Sequence, residues 1–162
     1  MPATRLLEIH DLLTPNTVRV DLPGSTKEEV LDGVIALLED HPAVEDLEAV
    51  RAAILSREAV MSTGVGKGLA LPHAKTPAVR ESVAAFAVTR EPIDFGSIDN
   101  HPVRLIFLLV GTDAAKSEHI KILSRVSRLM NREHVRERLL DVSSRDDVLQ
   151  IFASSESDLL DG

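Results

Sequence analysis

Apolar positions along the chain change their period several times, and the changes divide it into elements. Between Leu6 and Val20 a short apolar stretch meets Thr14, Pro15 and Asn16, a turn signal ahead of a short strand over 18–20. Ser25 and Glu28 have the spacing of a capping box, with Ser25 at the N-cap and Glu28 reaching back. Val30, Val34, Leu37 and Leu38 then recur at helical intervals until His41-Pro42 stops them. A second helix is predicted over 46–58, with Leu47, Val50, Ile54 and Leu55 inward. Leu69 to Leu71 is a short extended piece, and 83–89 and 103–110 are strands. The last of these is almost continuously apolar, as a strand covered on both faces should be. Helices over 118–131, 133–140 and 145–153 complete the pattern. Helices, then strands, then helices imply a sheet between helical layers, an α/β or α+β class.

No repeat, low-complexity run or linker divides the chain, and 162 residues suit one core, expected over 1–155. The Ser/Asp-rich end from Ala153 is expected to fray, leaving 156–162 as a disordered tail. The start, Met1 to Leu13, has no basic region followed by a long apolar run, and the apolar stretch from Leu105 to Val110 is too short to cross a bilayer. A cytoplasmic protein is the expectation.

Composition removes several chemistries. The chain has no cysteine, so disulfides, thiolate metal sites and cysteine nucleophiles are excluded. Four Phe with no Trp or Tyr argue against stacking platforms for single-stranded nucleic acid. A formal net charge of −8 argues against a duplex-binding face. No nucleic-acid partner is expected.

The segment Ser62-Thr63-Gly64-Val65-Gly66-Lys67-Gly68, running into Leu69-Ala70-Leu71-Pro72-His73-Ala74, is the most unusual. A P-loop would need Gly at position 61 and Ser or Thr at 68, where Met61 and Gly68 stand. A dinucleotide fingerprint would need Gly at 69, which is Leu69, and the opposite order of strand and helix. Both motifs fail. Alternating glycines can still converge backbone N–H groups into an anion nest, with Ser62, Thr63, Gly64, Gly66 and Gly68 as its expected phosphoryl-binding members. His73 follows a proline that sets its direction, and neutral imidazole is a nucleophile near pH 7. It could accept a phosphoryl group, or it could be a surface residue after a loop.

His119 is expected in the first turn of a helix capped by Ser117, either aimed at the sheet end or merely solvated. Arg57 either clamps an anion on the glycine loop or complements the C-terminus of its own helix. His10, His41, His101 and His134 read as surface residues. No histidine pair has HExxH spacing, a zinc site from His73, His119 and a carboxylate has little support, and no Gly-x-Ser-x-Gly elbow is present.

Glu58, six intervening residues, Val65-Gly66, two more, then Leu69-Ala70-Leu71-Pro72-His73-Ala74 resembles the active-site signature of enzyme IIA domains. These are the fructose/mannitol class of the bacterial phosphoenolpyruvate-dependent phosphotransferase system, including its nitrogen-regulatory branch. Further similarity lies in Pro92-Ile93-Asp94-Phe95, in Pro102-Val103 through Leu109, and in Ser117 through Arg125. Ala74 stands where glycine is often found.

The resemblance implies a three-layer α/β/α sandwich with a small mixed sheet. It implies that His73 is phosphorylated at Nε2, that His119 is the second active-site histidine, and that Arg57 is the arginine near the site. It implies HPr or a nitrogen-branch HPr-like protein as donor, and a IIB cysteine as acceptor in a sugar route. The alternative is a regulatory protein whose phosphorylation state controls binding to transporters, kinases or regulators. A domain of the same fold that has lost phosphorylation is disfavoured by the presence of both histidines. No metal or cofactor is expected, and contact with a membrane transporter would come only through partners. Without IIB, IIC or HPr extensions, a stand-alone subunit is the expectation.

Overall fold

The computed structural model describes residues 9–161. Its elements run α1 (Ile9–Leu12), β1 (Val18–Leu22), α2 (Lys27–Ala36), α3 (Leu47–Val60), β2 (Gly64–Gly66), β3 (Leu69–Ala70), β4 (His73–Lys75), β5 (Val83–Ile93), β6 (Val103–Gly111), α4 (Lys116–Met130), α5 (Glu133–Leu140) and α6 (Arg145–Asp161). The reading of residues 1–8 and the surface assignment of the His10 side chain lie outside the described residues.

Strand β6 organises the sheet, whose order is β1-β5-β6-β3-β2. Its neighbour β5 is antiparallel, while β3 and then β4 lie parallel to it, one after the other along the same edge. The sheet is therefore mixed. Alternation along β6 feeds two cores. Leu105, Phe107 and Leu109 join a cluster with α1, α4, α5 and α6, whereas Ile106, Leu108 and Val110 join one with α2 and α3. The apolar run at 105–110 is thus the signature of a strand with helices on both faces, and the fold is the expected α/β sandwich. Along β5, Val83, Ala85 and Ala87 face α2 and α3, while Ala84, Phe86 and Val88 face the other layer. Among the described residues no helix is long and apolar enough to cross a membrane.

Several local expectations need correction. The capping box is shifted by one residue: Thr26 is the N-cap, its hydroxyl accepting from the Glu29 N–H at 3.2 Å. Glu29 closes the box by accepting from the Ser25 N–H. Ser25 and Thr26 are equivalent as caps, and so are Glu28 and Glu29; burial of Val30, Leu31, Val34 and Ile35 selects the register. Ser117 does not cap α4, which starts one residue earlier behind Ala115. Among the described residues the expected fraying from Ala153 is replaced by helix, because α6 continues to Asp161. Ser155 and Glu156 turn inward, and the Glu156 carboxylate accepts from the Ile9 N–H at 2.6 Å and pairs with Arg125 at 3.4 Å. Polar composition misleads here because inward-facing polar groups have partners.

In the core under α6, the Phe152 ring meets Phe86 edge-on at 5.0 Å between centroids and lies 6.0 Å from Phe107. Phe152→Ala is expected to lower stability by about 3–5 kcal/mol, the usual range for a buried aromatic truncated to a methyl. Urea denaturation measures this, and an unchanged midpoint would show that α6 does not seal the core.

Candidate functional site

His73 opens β4, paired with Leu109 of β6. Leu69 and Leu71 face the α4 layer, while Ala70 and Ala74 face α2 and α3. By strand alternation His73 shares the face of Leu69 and Leu71. Strand β6 ends at Gly111, four residues turn the chain, and α4 returns over that same face with His119 in its first turn. The two rings meet with centroids 5.8 Å apart and planes tilted by 53°. Residues 46 positions apart in sequence thus converge where β4 runs beside the last residues of β6.

The half-buried His73 ring is held by one bond: Nδ1 lies 2.7 Å from the Leu71 carbonyl. A carbonyl can only accept, so Nδ1 carries the proton. In the neutral ring, Nε2 then keeps the lone pair. Pro72 makes this geometry stiff. It confines Leu71 to extended backbone, and its own carbonyl accepts from the Leu109 N–H at 3.0 Å. Having no N–H, Pro72 also interrupts the ladder between β3 and β4, so the histidine starts a new strand segment.

His119 is 4% exposed, and its Nδ1 has no hydrogen-bond partner. Burial, then the nearby His73 and Lys75, push its pKa down to about 4, so it is neutral at pH 7. A buried imidazole without a partner at Nδ1 is costly and needs an explanation. Gly111 supplies the space for it: a Cβ there would stand 2.7 Å from His119 Nδ1. Sequence reasoning missed Gly111. The available signal was a glycine closing an otherwise apolar strand eight residues before the histidine.

Of the expected anion-nest members, Thr63 and Gly64 spend their amides inside the chain. Gly66, Lys67 and Gly68 have φ of 99°, 59° and 78°, and they turn a tight hairpin between β2 and β3. Three of its amides are engaged within the chain: the Thr63 N–H with Glu58 at 2.8 Å, the Gly64 N–H with Ser62 Oγ at 3.0 Å, and the Lys67 N–H with Asp99 at 2.8 Å. Ser62 in turn donates to the Phe95 carbonyl at 2.6 Å. Two of these three acceptors are carboxylates and the third is a hydroxyl. Arg57 donates to the Met61 carbonyl at 3.0 Å, at the C-terminus of its own helix, as the dipole favours. His101 and His134 are exposed, and His41 is half-buried with Nδ1 accepting from the Ala43 N–H.

An imidazole tied through Nδ1 to a carbonyl, beside a second imidazole that burial keeps neutral in the first turn of α4, is equipped to hold a transferable anionic group. Residues 11–155 match the family described as "Phosphoenolpyruvate-dependent sugar phosphotransferase system, EIIA 2". The chain is 38% identical over 87% of its length to the PTS system fructose-specific EIIA component of Haloferax volcanii, covering 92% of that protein. It is 36% identical over 90% of its length to the PTS system fructose-specific EIIABC component of Bacillus subtilis (strain 168), of which it spans 23%. The fold superposes on the nitrogen regulatory protein IIA-Ntr from Neisseria meningitidis with a TM-score of 0.83 and 31% identity, covering 89% of this chain and 98% of that one. The chain belongs to the enzyme IIA family of the phosphotransferase system, fructose/mannitol class. Fructose-specific and nitrogen-regulatory proteins both stand among its relatives.

Two outcomes follow from His119. Its folded pKa near 4 lies below the ordinary 6.5, so the unfolded chain binds the proton first. The stability this group contributes is whole above pH 6.5 and is lost as pH falls towards 4. Urea titrations at pH 7 and pH 5 should show a smaller loss on acidification in His119→Asn than in the wild type. Gly111→Val is expected to cost about 1–3 kcal/mol and to shift the His119 ring resonances in NMR spectra. Unmoved resonances would show that the ring does not rest on Gly111.

Proposed function

We propose that the protein is a phosphocarrier. His73 Nε2 would attack the phosphohistidine of HPr or of a nitrogen-branch HPr-like protein. The donor P–N bond breaks as the Nε2–P bond forms; with its other ring nitrogen protonated the donor leaves as a neutral imidazole, and the phosphorylated His73 ring keeps its Nδ1–H. In a sugar route a IIB cysteine then takes the group from His73. Such a transfer between imidazoles is nearly balanced, so the protein's task is alignment and charge stabilisation.

One observation carries this reading: the Nδ1–H of His73 is tied to Leu71, which leaves Nε2 as the base, while His119 stands 5.8 Å away. The buried His119 Nδ1 fits the bare acceptor nitrogen, with the proton on Nε2 available to a phosphoryl oxygen. The N-terminal N–H groups of α4 add positive potential beside His73. With the glycine segment engaged elsewhere, these donors replace the nest in the proposal, and Arg57 has only an indirect part. Val60, Met61 and Val65 before His73 and Ile120 after His119 are large apolar side chains left exposed, which suits a protein donor. The protein would work in the cytoplasm and meet a membrane transporter only through partners.

A regulatory role built on the same chemistry is favoured by the likeness to the nitrogen regulatory protein across 98% of that chain. Phosphorylation would bring about −1.5 to −2 charge to the face that partners touch. Incubation with phosphoenolpyruvate, enzyme I and HPr tests the carrier reading, and addition of candidate IIB proteins separates the two roles. Acid-labile phosphate should map to His73 and vanish in His73→Ala. His119→Ala should fold and take up phosphate at least about 10²-fold more slowly. Label retained by His73→Ala would end the assignment.

A further inference from the structure

Glu58 occupies a position that helix stability alone would reject. It lies in the last turn of α3, at the negative end of the helix dipole, and it is 8% exposed. A buried carboxylate there needs compensation. Lys27, from the start of α2, supplies it at 2.7 Å while also donating to the Phe95 carbonyl at 3.3 Å. What the carboxylate does is equally specific. One oxygen accepts the Thr63 N–H at 2.8 Å, and the other accepts the Thr63 hydroxyl at 2.5 Å. Thr63, 3% exposed, is thereby held at both of its donors.

The chain of bonds continues to the reacting ring. The Thr63 carbonyl accepts the Leu71 N–H at 2.9 Å, and the Leu71 carbonyl accepts Nδ1–H of His73 at 2.7 Å. Pro72 locks the torsion between the last two links. We propose that Glu58, backed by Lys27, is a positioning residue for His73: through Thr63 and the Leu71 peptide it sets the carbonyl that keeps the proton on Nδ1 and leaves Nε2 nucleophilic. This rests on His73 being the phosphoryl acceptor, and it adds a half-buried ion pair in the opposite helical layer to the machinery of that step. Glu58 touches no reacting atom. It acts by fixing one peptide plane.

The test uses the full-length protein and two independent readouts. Nitrogen-15 NMR of the imidazoles reports the His73 tautomer without any donor protein, and phosphorylation by phosphoenolpyruvate, enzyme I and HPr reports the rate. Wild-type His73 should be in the Nδ1–H form. Glu58→Ala should mix the two tautomers and slow phosphorylation about 10–100-fold, the usual effect of losing a partner that orients a functional histidine. Glu58→Gln, which can still accept one of the two Thr63 bonds, should fall between, as should Thr63→Val. These milder variants keep the test decisive if Glu58→Ala does not fold. A wild-type tautomer in folded Glu58→Gln and Thr63→Val overturns the proposal, and so does a slower rate with an unmoved tautomer. If the tautomer shifts while the wild type takes no phosphate, the positioning role stands and the phosphocarrier reading fails.

Discussion

The hydrogen bond between His73 Nδ1 and the Leu71 carbonyl is the constraint on which the site depends. It converts an imidazole, which could present either nitrogen, into a ring with one defined basic atom. The bond is possible because a proline stands between the two residues and because β6 holds both sides of that proline in register. The sheet thus acts on the chemistry through a single peptide. His119 completes the arrangement from the other direction. It is kept neutral by burial and is lodged where Gly111 has no side chain.

What was legible in the sequence depended on how local the deciding force was. The apolar run at 105–110 announced a doubly covered strand because both periods of the pleat were filled. Helix α5 was read residue for residue, and α3 was recognised from its inward stripe of Leu47, Val50, Ile54 and Leu55. The strand segments β2 and β4 were not foreseen, since each has three residues and owes its conformation to pairing across the sheet. The shifted cap of α2 and the inward-turned end of α6 share that cause: two polar residues looked alike until burial chose between them.

The candidate site was legible as a motif and not as a mechanism. The two histidines were identified and do meet, but the glycines beside them were taken for an anion cradle. They turn a hairpin, and the Thr63, Gly64 and Lys67 amides are occupied by Glu58, Ser62 and Asp99. No spacing rule reveals that a loop has already found its acceptors. Gly111 and the internal role of Glu58 escaped for a related reason, because each matters through an atom that is distant in sequence.

The pairing of His73 with Leu109 spans 36 residues and joins parallel segments. Contacts of such long range close late, because the intervening loop must be ordered before they form. A nascent chain that ends before residue 103 lacks β6, and one that ends before residue 119 lacks the second imidazole, so neither has the assembled pair. Competence therefore arises as a property of the finished topology.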